Sequence, residues 1–154
     1  MGFFDKVFSE NKRVLDYSPK NEQEAWIGIL FACVNADDDD SESESDALIK
    51  MLTFSSKIDN DSIIVDYKRV LVATRENGVS GNVLVDKCSV LIDDDDKATL
   101  FSMAVEIAYA NGIIEEEEKD MLEYIAKSLE LDMNLAEEII KVMAIRNKYN
   151  YLLD

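Results

Sequence analysis

The residues in this chain that could do chemistry are carboxylates, and they gather in two clusters. Asp37 to Asp40 leads into Glu42 and Glu44, and Asn111 leads into Glu115 to Glu118. Oxygen ligands at this density suit a hard cation such as Ca2+, which takes about six to eight of them. The candidate metal ligands are Asp37, Asp39 and Glu44 in the first cluster and Asn111, Glu115 and Glu118 in the second. An EF-hand loop needs a bidentate Glu at its twelfth position. Counted from Asp37 that position is Leu48, and counted from Asn111 it is Leu122, so neither cluster is such a loop. A cation site would have to be assembled from both. The competing reading is structural: acids in the first turn of a helix meet free backbone N–H groups and the positive end of the macrodipole, for about 0.3–1 kcal/mol each.

Other chemistries are poorly served. The chain has no histidine, which removes Ser-His-Asp and Cys-His arrangements and imidazole ligands together. No GxxxxGK[ST] or GxGxxG loop is present to hold phosphates. Carboxylate pairs abound, but a glycosidase-like pair needs a cleft and divergent pKa values, whereas DDDD and EEEE runs read as solvated helix starts. The expectation is a non-enzymatic protein, with a carboxylate-based metal-dependent hydrolase as the alternative. Cys33 and Cys88 each lie in an apolar run without CxxC spacing, so both are expected as buried, reduced thiols. Thirty-three acids against sixteen bases leave a net charge of -17. Phosphate backbones repel such a chain. Nucleic acid is excluded as a partner; cations and basic protein faces are favoured.

The elements that position these acids form a repeat. Shifted by 74 residues, Ala36, Glu42, Glu44, Asp46 and Leu48 fall on Ala110, Glu116, Glu118, Asp120 and Leu122. The apolar Trp26, Ile27, Leu30, Phe31, Cys33 and Val34 likewise fall on Leu100, Phe101, Ala104, Val105, Ile107 and Ala108. Each copy reads as an apolar helix, a loop, and an acid-rich helix start, which is an internal duplication. With 154 residues, 47% hydrophobic content, five glycines and one proline, and no sustained alternation, the chain is expected to be a single all-α domain.

In order, Ser18-Pro19 reads as the cap and first residue of a helix reaching about Asn35. Ser41 and Glu44 have capping-box spacing, and Leu48, Ile49, Met51, Leu52 and Phe54 are the expected buried face of the next helix. A helix through Ile64, Tyr67, Val70, Leu71 and Thr74 closes at Asn77-Gly78, and a shorter one covers Ser80 to Val90. Asp93 to Asp96 caps a second central helix, Lys97 to Ala110. The next, Glu115 to about Leu129, turns Met121, Leu122, Ile125 and Leu129 inward. Asn134 with Glu137 starts the last helix, whose apolar face is Leu135, Ile139, Ile140, Val142, Met143 and Ile145.

Residues 1–17 form an amphipathic segment with Phe3, Phe4, Val7 and Phe8 on one stripe. Residues 18–148 form the helical domain and 149–154 a tail. Phe3, Phe4 and Phe8 are candidate partner-binding residues, either against the chain's own domain or as the anchor of a membrane-peripheral scaffold. The longest apolar run, Ala25 to Val34, is too short to cross a bilayer and no signal peptide opens the chain. A cytoplasmic protein is expected, with peripheral attachment at the inner face of the membrane left open.

The repeated unit, an apolar helix, then Ala-Asp-Gly-x-Ile-x-x-x-Glu, then Leu, resembles the tellurite-resistance TerB family and TerB-like domains. Ala110, Gly112, Ile114 and Glu118 match in the second copy; Ala36, Asp37, Ser41 and Glu44 match in the first, and MGFFDKVF resembles the start of such proteins. Asn111 stands where the family usually has Asp, Asp38 where it has Gly, Asp40 where it has an aliphatic residue, and Glu115 where a Ser or Thr cap is common. The resemblance implies a bundle of about seven or eight helices with a pseudo-two-fold repeat, in a bacterial stress-response system tied to tellurite resistance. It also implies a non-enzymatic module with protein partners, among them membrane-associated and calcium-binding proteins of that system, and leaves a homodimer open. Ca2+ or another divalent cation is the one ligand in prospect.

Overall fold

The structure, a computed structural model, describes residues 17–34, 42–110 and 114–149, with the side chains of residues 42–45 left aside. Among the described residues are seven α-helices and no strand: α1 Glu22–Val34, α2 Glu42–Phe54, α3 Ile63–Leu71, α4 Gly81–Ser89, α5 Lys97–Ala108, α6 Glu116–Ser128 and α7 Met133–Arg146. A π-helical turn, Val72–Glu76, prolongs α3, and a 3-10 turn, Asp94–Asp96, leads into α5.

The all-round apolar sequence of α1 has one stable destination, the centre. Every residue from Ala25 to Val34 is buried, and α2, α3, α4, α5 and α6 all pack on this helix. The duplication is visible in the helix bounds. α2 and α6 both start and end 74 residues apart, and so do the last residues of α1 and α5. α5 supplies the second buried set, Leu100, Phe101, Ala104, Val105, Ile107 and Ala108. α7 lies against α5 and α6, and none of the described helices is long and apolar enough to cross a membrane.

Several local expectations are corrected. α1 starts at Glu22, not at Pro19, because the Asn21 side chain accepts the Glu24 N–H at 2.8 Å. Residues 17–20 instead run beside α3, where Lys20 meets Asp66. The last helix is capped by Asp132, whose side chain accepts from the Asn134 N–H at 2.8 Å, so Asn134 is already helical. On α2, Leu48 and Leu52 are buried but Ile49 and Phe54 are exposed, and on α7 Leu135, Val142 and Ile145 are exposed. Periodicity selects an apolar stripe wider than the face these outer helices bury. Met121, Leu122, Ile125 and Leu129 are buried as expected, and Gly78 closes the third helix at φ 70°, a left-handed position suited to glycine.

Candidate functional site

The acid-rich start of α6 shows how the carboxylates divide their tasks. Glu115, the N-cap, has extended backbone (φ -74°, ψ 164°), and the Glu118 Oε1 atom accepts its N–H at 3.1 Å. That is the returning arm of a capping box. Glu118 is 1% exposed, whereas Glu115, Glu116, Glu117 and Asp120 are exposed. Glu115 and Glu118 therefore share the capping, and Glu118 faces inward. The others face water, and Glu116 meets a base, Lys119, at 3.2 Å.

The run before α5 is organised differently. Asp93 accepts the Asp95 N–H at 3.1 Å, Asp94 pairs with Lys97 at 2.9 Å, and the Lys97 ammonium holds the Asp94 carboxyl below its ordinary value. Asp96 meets Lys57 at 2.8 Å, and the same ammonium reaches Glu22 at 2.8 Å. Hydrogen bonds to Asp96 and then Glu22 raise the pKa of Lys57. This acidic run is thus largely answered by bases of its own domain.

Of the six candidate metal ligands, the structure brings Glu115 and Glu118 together, in a capping relation. Glu44 lies in the first turn of α2, with its side chain outside the description. Asp37, Asp39 and Asn111 lie outside the described residues, as do Phe3, Phe4 and Phe8. Among the described residues no group of three or more Asp, Glu, Cys or His side chains is placed to hold a metal ion.

The strongest polar network lies elsewhere, between α1 and α3. Glu24 is fully buried; it accepts a hydrogen bond from the Tyr17 hydroxyl and pairs with the Arg69 guanidinium through Nε at 2.5 Å. Burial first, and the hydrogen bond to Glu24 second, raise the pKa of Tyr17. The pairing with Glu24 raises that of Arg69. A turn away, Asp66, 1% exposed, meets Lys20 at 2.9 Å and accepts from the Gln23 amide at 2.8 Å. The Gln23 oxygen in turn accepts the Asp59 N–H at 2.7 Å. Cys88 lies beside this network, its thiol pushed up to about 12 by burial and then by the Glu24 charge. Cys33 and Cys88 are both buried and outside any disulfide, so neither is placed as a nucleophile. The sequence held no local signal for this network, because Glu24 follows Glu22 and Gln23 in a polar helix start. Its partner Arg69 lies 45 positions away, beyond anything local spacing reveals.

Three concavities are formed by the described residues named below. One of about 770 Å³ lies between α5, α6 and α7, with an apolar lining of Phe101, Leu122, Ala126, Ala136 and Ile140 and with Lys119, Glu123 and Glu137 also on its wall. Glu123 is held below the ordinary carboxylate range by Lys127, which does not suit it to general-acid work near neutrality. A second, of about 440 Å³, lies between α2 and α3. The third, of about 400 Å³, is lined by Tyr17, Ser18, Arg69, Val72, Ala73 and Asn77.

A family model described as tellurite resistance protein TerB matches residues 23–140. That span runs from the start of α1 into α7 and includes both copies of the repeat. No curated protein matches the chain, and no solved structure does.

Proposed function

Because the chain belongs to the TerB family, we propose that it is a non-enzymatic module of a tellurite-resistance and stress-response system. Its acidic helix-start surface engages a cationic counterpart, either a basic protein face or a divalent cation. The observation that carries this reading is the division of labour at α6. Capping takes two carboxylates, Glu115 and the buried Glu118, while Glu117 and Asp120 remain exposed and form no ion pair among the described residues. Surplus like charge at one helix start costs self-repulsion, and a cationic partner removes that cost. The clefts favour this reading over a hydrolase, because the concavity between α5 and α7 has a mainly apolar lining and brings only two carboxylates to its wall.

The test separates the two counterparts. Chelator-stripped protein is titrated calorimetrically with Ca2+ and with Mg2+ at about 0.15 M salt, where exposed charges are screened beyond about 8 Å. Saturable heat with Ca2+ that Asp37→Ala abolishes would support a cation site. Capture of a basic protein partner that Glu117→Gln with Asp120→Asn weakens tenfold or more, with helical circular dichroism unchanged, would support a protein face. Both experiments giving the unaltered chain's result in the variants would overturn the acidic-surface reading.

A further inference from the structure

We propose that the groove between α2 and α3 is the docking site of the chain's own N-terminal segment, whose Phe3, Phe4, Val7 and Phe8 fill it. The groove is lined by Ile49, Leu52, Ile63, Ile64, Tyr67 and Leu71, with Thr53 and Lys68 as its polar members. It is open to water: Ile49 is 51% exposed and Ile64 is 66% exposed, and Phe54 and Val65 beside it are exposed too. A contiguous apolar surface of this kind marks a contact site.

The path of the chain favours this occupant. Tyr17, the first described residue, is fastened by Glu24 and shares a cleft with Arg69 and Val72. Leu71, the neighbour of Val72, lines the groove. The segment before Tyr17 therefore starts beside α3, on the face that carries Arg69 and Val72, and the groove opens on the other face of that helix. Phe8 precedes Tyr17 by nine positions, a link able to span up to about 30 Å. The α3 wall of the groove, Ile63 to Leu71, is only about 13 Å long. Tethering at this distance gives an effective concentration of order millimolar.

Charge discriminates against the other occupants. Residues 1–16 carry Asp5, Glu10 and Asp16 against Lys6, Lys12 and Arg13, so their formal charge is balanced. The segment therefore approaches the domain without net repulsion. A second copy of the chain brings its own net charge of -17. An anionic lipid surface repels the domain in the same way. This inference rests on the groove and the chain path, and stands or falls independently of the acidic-surface reading.

The experiment uses the full chain and two complementary variants. Phe3→Ser with Phe4→Ser and Phe8→Ser removes the apolar stripe outside the described fold. Amide signals of residues 49–53 and 63–72 should shift, and the amides of α3 should exchange several-fold faster. Ile64→Lys alters an exposed groove residue, so the core is untouched. It should raise the rate of tryptic cleavage at Lys6, Lys12 and Arg13 about tenfold. Shifts confined to the α5–α7 cleft, shifts that depend on protein concentration, or tryptic rates unchanged by Ile64→Lys would each overturn the proposal.

Discussion

Glu24, Arg69 and Tyr17 form the contact in which single side chains matter most, because a fully buried carboxylate must have its charge answered. Glu24 is inaccessible, whereas the Arg69 side chain is 46% exposed. The two deletions therefore differ. Arg69→Leu leaves a buried charge with only the Tyr17 hydroxyl and should cost about 3–5 kcal/mol. Glu24→Gln leaves a guanidinium that water can solvate, and should cost less. Urea unfolding of both variants checks the order, and a larger loss in Glu24→Gln would count against it. The same locality sets an alkaline limit. The Cys88 thiol is held up to about 12 from an ordinary value of 9.0, and Tyr17 is raised above 10.0. As pH climbs past 9 the unfolded chain gives up the Cys88 proton while the folded chain keeps it, so stability falls with rising pH. The slope contributed by one such proton is up to about 1.4 kcal/mol per pH unit. Denaturation between about pH 8 and pH 11 should show this decline, and Cys88→Ala should flatten it. An equally steep decline in the variant would assign the slope to other groups. None of these partners was legible in sequence, since each contact joins separate helices. Glu118 was read from sequence as a candidate metal ligand, and its capping of the Glu115 N–H appears only in the fold.

At the scale of elements, α1 and α4 approach each other closely at Gly28. A Cβ built on Gly28 would lie 2.6 Å from the Cys88 sulfur and 3.2 Å from a Leu84 methyl carbon, so glycine is required there by the close approach of α4. Gly28→Ala should cost about 1–3 kcal/mol through overpacking. Adding Cys88→Ala should return part of the loss, a coupling readable from a double-mutant cycle. Independent, additive losses would mean that the strain is taken up elsewhere. The helices themselves were readable where burial surrounds them. α1 is apolar on all sides from Ala25 onwards, so its sequence alone places it at the centre, and the 74-residue offset carries the bounds of α2 onto α6. Outer helices were read less well. α7 is apolar on more of its surface than α5 and α6 cover, so Leu135, Val142 and Ile145 match the expected period and yet face water. The start of α1 was misplaced for a related reason. Ser18-Pro19 is a sound local cap, but Tyr17 and Lys20 have tertiary partners in Glu24 and Asp66, and those ties keep the chain out of the helix until Glu22.

For the whole molecule, the governing quantity is a net charge of -17 on 154 residues. The described ion pairs answer part of it locally: Lys57 joins Glu22 and Asp96, Lys97 takes Asp94, and Lys127 takes Glu123 at 2.8 Å. These three bases are spent on the domain's own acids, and surplus charge falls on helix starts such as Glu117 and Asp120. A fold in this state is stabilised by anything that screens carboxylates from one another. Raising sodium chloride shortens the screening length from about 30 Å at 0.01 M to about 10 Å at 0.1 M. The melting temperature should therefore rise by several degrees over that range, whereas the exposed pairs that salt weakens contribute only about 0–1 kcal/mol each. Removing charge should do the same work as screening it. Glu117→Gln with Asp120→Asn should raise the melting temperature in low salt and show a smaller further gain on adding salt. A salt-insensitive melting temperature would mean that the acids are already neutralised within the fold, leaving no surplus for a cationic counterpart to engage.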